Sequence, residues 1–120
     1  MIRTLSAALT FTCCVCAFGL PASAQMGLDG LHDQRREGGR WCMSDHFHYG
    51  TGTGSTRALA ERDAIGSWAG FTAWEYGDSW GSWRLAASRS MKCEMGTTGW
   101  NCSNEARPCR PLSRSARRRK

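Results

Sequence analysis

The chain has 120 residues, with 16 lysines and arginines against 10 acidic residues and a formal net charge of +6. A chain of this length forms one small domain and is too short for a dinucleotide-binding Rossmann sheet. Six of the positive charges lie within 110–120, so the net charge describes the C-terminal segment and not a basic face of the fold.

The first 24 residues have the pattern of a secretory signal peptide. Residues 1–3 carry a positive charge, 5–20 contain no charged residue, and Ala22 and Ala24 are the small residues expected before a cleavage site. The apolar run is shorter than the roughly 20 residues that a membrane-spanning helix needs. We therefore expect export to the periplasm or the medium, with the mature chain beginning at Gln25.

Four cysteines follow the predicted signal peptide: Cys42, Cys93, Cys102 and Cys109. An even number of cysteines in a short exported chain indicates disulfides, because the destination is oxidising. Their spacing contains no Cys-x-x-Cys pair, which argues against a zinc site made of cysteines. The sequence thus predicts two disulfides. No other motif in the chain indicates a cofactor, so we predict none.

Residues 25–40 are rich in glycine and charge, and we interpret them as a flexible leader before a folded domain at 41–109. Within 41–49 the large apolar residues alternate with polar ones, which predicts a strand with His46 and His48 on its polar face. The glycines of 50–54 predict a turn that stops this strand.

A helix is predicted next, because the apolar spacing changes from two residues to three or four. Ser55 or Thr56 can cap its start. The apolar stripe of the helix consists of Ala58, Ile65, Trp68, Ala69, Thr72 and Tyr76. We expect the helix to run from 56 to Tyr76, before Gly77; the alternative is that it stops at Gly70.

Two further strands are predicted, at 83–94 and 100–107, joined by a hairpin loop at 96–99. A hairpin symmetric about this loop places Cys93 opposite Cys102, near disulfide distance. We expect that pairing, with Cys42 bonded to Cys109; the other two connectivities stay open on sequence alone.

Together these elements predict an α+β fold, in which one helix packs on a three-stranded antiparallel sheet in the order β-α-β-β. Two disulfides staple this small domain. The six tryptophans supply most of its core. If Trp74 and Trp80 lie on the surface instead, they would mark a surface that binds a partner or a sugar.

The pattern resembles a set of small exported bacterial proteins of unknown function. The resemblance covers roughly 60–109 and consists of helix-core, turn and cysteine positions. It implies a fold and a compartment, and it implies no catalytic or binding residue. The matching motifs are Ala64-Ile65-x-x-Trp68, Tyr76-Gly77-x-x-Trp80-x-x-Trp83-x-x-Ala86, Lys92-Cys93, Trp100-x-Cys102 and Ala106-Arg107-Pro108-Cys109.

His46 and His48 are weak candidates for metal ligands, since alternate residues of a strand point the same way. A third ligand would have to be His32 or an acidic residue, and the sequence does not mark it. We therefore predict no tightly bound metal. The chain also lacks a recognisable set of catalytic residues, so we predict that it is not an enzyme.

The C-terminal segment, 110–120, is predicted to be disordered and to bind anionic surfaces or polyanions. Its basic residues are Arg110, Arg114, Arg117, Arg118, Arg119 and Lys120. The function we expect is a non-enzymatic interaction at the cell envelope, with the protein partner unspecified. The alternative is a periplasmic protein that binds a metal or a small ligand through His46 and His48.

Overall fold

The computed structural model describes residues 27–113. The predicted signal peptide and residues 114–120 of the basic segment lie outside this range. The predicted α+β class is confirmed, with one α-helix, six strands and two short 3-10 helices in the described residues. In chain order these are the 3-10 helix Leu28–Leu31, β1 Gln34–Glu37, β2 Arg40–Met43, β3 His48–Gly54, α1 Arg57–Tyr76, the 3-10 helix Asp78–Trp80, β4 Ala87–Gly96, β5 Gly99–Arg107 and β6 Cys109–Pro111.

The strands form two antiparallel sheets of three strands each, in the orders β1-β2-β6 and β3-β5-β4. The second sheet and α1 reproduce the predicted β-α-β-β unit. The first sheet was not predicted. Within residues 27–113, no helix is both long enough and apolar enough to cross a bilayer.

The flexible leader predicted at 25–40 is wrong for the residues that the structure describes. Its second half forms β1 and the start of β2, a hairpin in which Glu37 pairs with Arg40 across a two-residue turn. Gly38 in this turn has φ +62°, a conformation that glycine adopts without steric cost. The charged residues of the segment are thus compatible with a hairpin whose outer positions face water.

The single strand predicted at 41–49 is two strands in different sheets. β2 ends at Met43, and β3 begins at His48 after an irregular segment. Met43 is fully buried, and its backbone amide bonds the carbonyl oxygen of Pro108 at 2.9 Å. The chain therefore leaves the first sheet at this point, which brings His46 and His48 to the edge of the second sheet.

The predicted turn at 50–54 is also wrong, because β3 continues through Gly54. The glycines are there because α1 packs directly against the strand. A Cβ atom built on Gly52 would overlap the helix backbone at Ala60 and Ala64, and one on Gly50 would overlap it at Ala64. Only glycine allows the helix and the strand to approach this closely.

The predicted helix is confirmed, and the alternative ending at Gly70 is wrong. Thr56 caps it by accepting a hydrogen bond from the amide of Leu59 at 3.2 Å. Gly77, with φ +102°, ends it. The buried face differs from the predicted stripe, because Ala58 is exposed and Ile65 is only half-buried. The residues that are buried recur every four positions: Ala60, Ala64, Trp68, Thr72 and Tyr76.

Both predicted disulfides are present, Cys42–Cys109 and Cys93–Cys102. Each joins residues that face each other across a pair of strands, β2 with β6 and β4 with β5. The hairpin loop is confirmed, although β4 begins at Ala87 and not at 83. The Cys42–Cys109 bond closes the longer loop and is fully buried, and it links β2, near the start of the domain, to β6, near its end.

The domain does not end at Cys109 as predicted, because the next residues are ordered. Arg110 and Pro111 continue β6, and Leu112 is buried. The guanidinium of Arg110 lies 5.3 Å from the ring centre of Trp80, within cation–π distance. Trp80 is itself buried, whereas Trp74 is 55% exposed, so only Trp74 fits the predicted surface role.

Candidate metal centre

The three histidines of the chain lie together at one end of α1. The ring centres of His32 and His46 are 4.2 Å apart, and those of His46 and His48 are 5.0 Å apart. His32 follows the first 3-10 helix, His46 precedes β3, and His48 is the first residue of β3. The structure thus brings together the two predicted candidates and the third histidine.

The last turn of α1 faces this histidine cluster. The ring of Tyr76 stacks on that of His48, with centres 4.9 Å apart and an interplanar angle of 17°. Glu75 places its Oε2 atom 3.0 Å from Nε2 of His48. The nearest ligand atoms of His46, His48 and Glu75 all lie within 4.8 Å of one another. The helix therefore supplies a candidate for the third ligand, which the sequence did not mark.

The tautomer of His48 is linked to its neighbour Thr72. The hydroxyl of Thr72 lies 2.7 Å from the carbonyl oxygen of Trp68 and donates to it. While it does so, its oxygen accepts at Nδ1 of His48, 2.8 Å away, and we expect the proton on Nδ1. The lone pair of Nε2 then faces Glu75, whereas in the other tautomer Nε2 donates to the Glu75 carboxylate.

Burial favours the neutral form of the histidines. It is the main cause that lowers the pKa of His48 to about 4, with smaller contributions from His46 and His32. Burial also lowers the pKa of His46, aided by His32 and opposed by Glu75. Each of the two rings therefore has one unprotonated nitrogen at neutral pH.

Nε2 of His48 faces two oxygen atoms. The Tyr76 hydroxyl lies 3.3 Å away, and burial raises the pKa of Tyr76 to about 12, so this hydroxyl keeps its proton and can donate to Nε2. The carboxylate of Glu75 lies closer, with Oε2 3.0 Å from Nε2. Either a proton on Nε2 or a cation between the two atoms makes this contact favourable.

Two imidazoles and one carboxylate form a ligand set that proteins use for transition metals. Tetrahedral zinc, with bonds of about 2.0–2.2 Å, holds its ligand atoms about 3.3 Å apart. The separation of Nε2 and Oε2 is close to this value. The ligand atom of His46 lies within 4.8 Å of the other two, and a shift of the half-buried ring toward them would complete the set.

The three ligands border a cavity of about 540 Å³ on the protein surface. Its other lining residues are Phe47, Tyr49, Ser67 and Phe71. The opposite side of His48 is filled by Thr72 and Tyr76. A metal ion bound here would thus have its open coordination position toward the cavity.

The remaining predicted site residues lie elsewhere. The four cysteines are in disulfides and supply no thiolate. Arg110 packs on Trp80, and the other basic residues of the C-terminal segment lie outside the described range. The sequence did not identify Glu75, because it lies on α1, 27 residues after His48 in the chain. One signal was available: Thr72 and Tyr76, which lie beside Glu75 on the helix, were predicted to be buried.

Fold and site define a small disulfide-stapled α+β domain with a His-His-Glu cluster at its surface. Comparisons with protein-family models, curated proteins and solved structures found no match to the chain. Its function therefore has to be argued from the site itself.

Proposed function

We propose that this protein is an exported metal-binding protein that holds one zinc ion between His46, His48 and Glu75. The observation that carries the proposal is the cluster of ligand atoms: those of His46, His48 and Glu75 all lie within 4.8 Å of one another, with Nε2 of His48 and Oε2 of Glu75 3.0 Å apart. A divalent cation between them would bond the lone pair of Nε2 and the carboxylate. The two disulfides support an oxidising compartment outside the cytoplasm.

The ligand types favour zinc over other common metals. Magnesium and calcium prefer six or more oxygen ligands, and this site has a single carboxylate. Copper(I) prefers thiolate or thioether sulfur, which the three ligands lack. Copper(II) binds imidazole tightly and is the strongest competitor by the general order of divalent metal affinities.

We propose binding and not catalysis for this site. Once Glu75 is a metal ligand, the side chains that line the cavity besides the ligands are Phe47, Tyr49, Ser67 and Phe71. Their aromatic rings and the Ser67 hydroxyl offer packing and hydrogen-bonding surface, which suits the cavity to hold a molecule at the metal.

The test is a calorimetric titration of zinc into the oxidised mature protein, purified without a histidine tag and freed of metal. We expect one zinc ion per chain. Glu75→Gln and His46→Ala should each weaken zinc binding by more than the roughly 10–100-fold that loss of an outer hydrogen-bond partner costs. Glu61→Gln is the matched control, since Glu61 lies on the same helix, away from the cluster, and forms an ion pair with exposed Arg57.

Absence of zinc binding would refute the proposal, as would zinc binding that Glu75→Gln and His46→Ala leave unchanged. Because both residues are partly exposed, these substitutions should not unfold the domain. Circular dichroism of each variant checks this point.

A second candidate function is an interaction at the cell envelope, and exposed aromatic residues support it. Phe71 and Trp74 are 48% and 55% exposed on α1, with ring centres 5.9 Å apart. Tyr49 on β3 is 66% exposed. Apolar groups this exposed on a small domain are typical of a binding surface. Substituting Phe71 and Trp74 by serine should abolish envelope binding by the mature protein; undiminished binding would contradict this role.

A further inference from the structure

The metal centre proposed above opens onto an aromatic cavity, and the chemistry of that cavity specifies a ligand. We propose that the bound zinc takes as its outer ligand a small monoanion with a flat aromatic body, such as an aromatic carboxylate. This inference rests on the proposed function, because the anion is held by the zinc ion.

The first argument is the direction of the open coordination position. Three protein ligands leave zinc at least one position for another molecule. The inner side of His48 is occupied, because Thr72 bonds Nδ1 and the ring of Tyr76 stacks on the imidazole. His46, His48 and Glu75 all border the cavity of about 540 Å³. An added ligand therefore reaches the metal from this cavity.

The second argument is the size and the lining of the cavity. Its volume lies within the roughly 300–1,000 Å³ of pockets that bind small molecules. Phe71 lies with its ring centre 4.9 Å from that of His48, and about half of its surface is exposed. Phe47 and Tyr49 add two more rings to the lining. Flat rings pack favourably on such surfaces by offset stacking or edge-to-face contact.

The third argument is charge. Zinc with two neutral imidazoles and the Glu75 carboxylate has a net charge of +1. Phe47, Tyr49, Ser67 and Phe71 carry no charge at neutral pH, so nothing else in the lining neutralises it. Asp45 and Asp33 line a neighbouring cavity on the other side of His46 and do not line this one. One negative charge on the ligand balances the site, and a donor oxygen is the natural carrier of that charge.

The test compares three probes of similar size by calorimetry, after zinc binding has been measured: benzoate, cyclohexanecarboxylate and benzamide. Benzoate should bind zinc-loaded protein about tenfold more tightly than zinc-free protein, since the metal supplies the charge partner. It should also bind more tightly than cyclohexanecarboxylate, which is anionic but not flat, and than benzamide, which is flat but neutral.

Variants separate this inference from the metal site. Phe71→Ala, saturated with zinc, should bind benzoate about fivefold more weakly than the unchanged protein, because the ring contributes stacking to the bound benzoate. Trp74→Ala is the matched control, since Trp74 is a neighbouring exposed aromatic that does not line the cavity. Its benzoate affinity should equal that of the unchanged protein.

Zinc that binds at the three ligands while benzoate binds no better than cyclohexanecarboxylate would overturn the aromatic ligand and leave the metal proposal intact. Failure of zinc to bind overturns both. Analytical ultracentrifugation in the presence of zinc measures the oligomeric state. A zinc-dependent dimer would show that a second copy supplies the outer ligand, and this too would overturn the inference.

Discussion

The guanidinium of Arg107 donates two hydrogen bonds, of 2.8 and 3.2 Å, to the carboxylate of Glu37, 70 residues earlier in the chain. Arg107 is nearly buried at the end of β5, and Glu37 ends β1. The pair therefore joins the two sheets, and a further bond from Arg107 to the carbonyl oxygen of Met43 fixes the chain where it leaves the first sheet.

This ion pair makes stability depend on pH in the acid range. The bonds from Arg107, followed by those from Arg35, lower the pKa of Glu37 to about 2 from an ordinary value of 4.5. The unfolded chain therefore binds its proton first as the pH falls, and the stabilisation, full above pH 4.5, is lost between pH 4.5 and 2. Glu37→Gln should lower the free energy of unfolding at pH 7 by about 2–3 kcal/mol.

Urea denaturation at pH 7 and at pH 2 measures this effect, and the difference between Glu37→Gln and the unchanged protein should shrink toward zero at the lower pH. Arg35→Gln serves as the control, because Arg35 also bonds Glu37 but is 55% exposed. It should cost less than about 1 kcal/mol. If Arg35→Gln and Arg107→Gln lowered the free energy of unfolding equally, the stronger role of the buried Arg107–Glu37 pair would be contradicted.

His48 should titrate far below an ordinary histidine in the metal-free protein. Burial, with His46 and His32 nearby, lowers its pKa to about 4, while Glu75, Tyr76 and Thr72 are its hydrogen-bonding neighbours. Because the unfolded chain takes up this proton near pH 6.5, the contribution of His48 to stability declines as the pH falls from 6.5 to 4.

Nitrogen NMR of the imidazoles measures both features of His48. We expect a midpoint near pH 4 and, above it, the tautomer with the proton on Nδ1. A proton on Nε2 at neutral pH would show that the bond to Thr72 runs the other way, and a midpoint near 6.5 would show that burial does not lower the pKa of His48.

The close contact of α1 with β3 predicts opposite effects for two glycines. Gly52→Ala should destabilise the protein by about 3 kcal/mol or more, because its Cβ would overlap the backbone of the helix. Gly66→Ala, within α1 and with open space around it, should stabilise by up to about 1 kcal/mol. Thermal unfolding of the two variants compares them directly, and a tolerated Gly52→Ala would refute the packing.

Truncations divide the basic segment into a structural and a charged part. Deleting 114–120 removes five of its six positive charges and should leave the thermal midpoint unchanged while reducing retention on heparin. Deleting from Pro111 also removes buried Leu112, whose burial contributes about 1.5–3 kcal/mol, and should lower the midpoint by several degrees. Heparin retention that survives the shorter deletion would place the attraction elsewhere in the chain.

Local signals predicted much of the fold. Gly77 and the 96–99 loop act over a few residues and were correctly located from sequence, and the helix cap is one of the two predicted residues, Thr56. The symmetry of the hairpin then placed Cys93 opposite Cys102 and left the second disulfide by elimination. These features need no knowledge of the tertiary structure.

The errors concern features that depend on long-range packing. A run with glycine at alternate positions has the composition of a turn, and only the helix lying against it explains why 50–54 is a strand. Glu75 is one acidic residue among ten in the chain, and its role depends on α1 ending beside β3. In contrast, the two glycines at 38–39 were a usable hairpin signal.

The metal site is tested most directly by anomalous X-ray diffraction from crystals of the mature protein grown with equimolar zinc, recorded on both sides of the zinc absorption edge. The predicted result is a single strong peak about 2.0–2.2 Å from Nε2 of His48, Oε2 of Glu75 and a ring nitrogen of His46. A zinc peak only elsewhere, for example between His32 and Asp33, or no peak at all, would contradict the proposed centre.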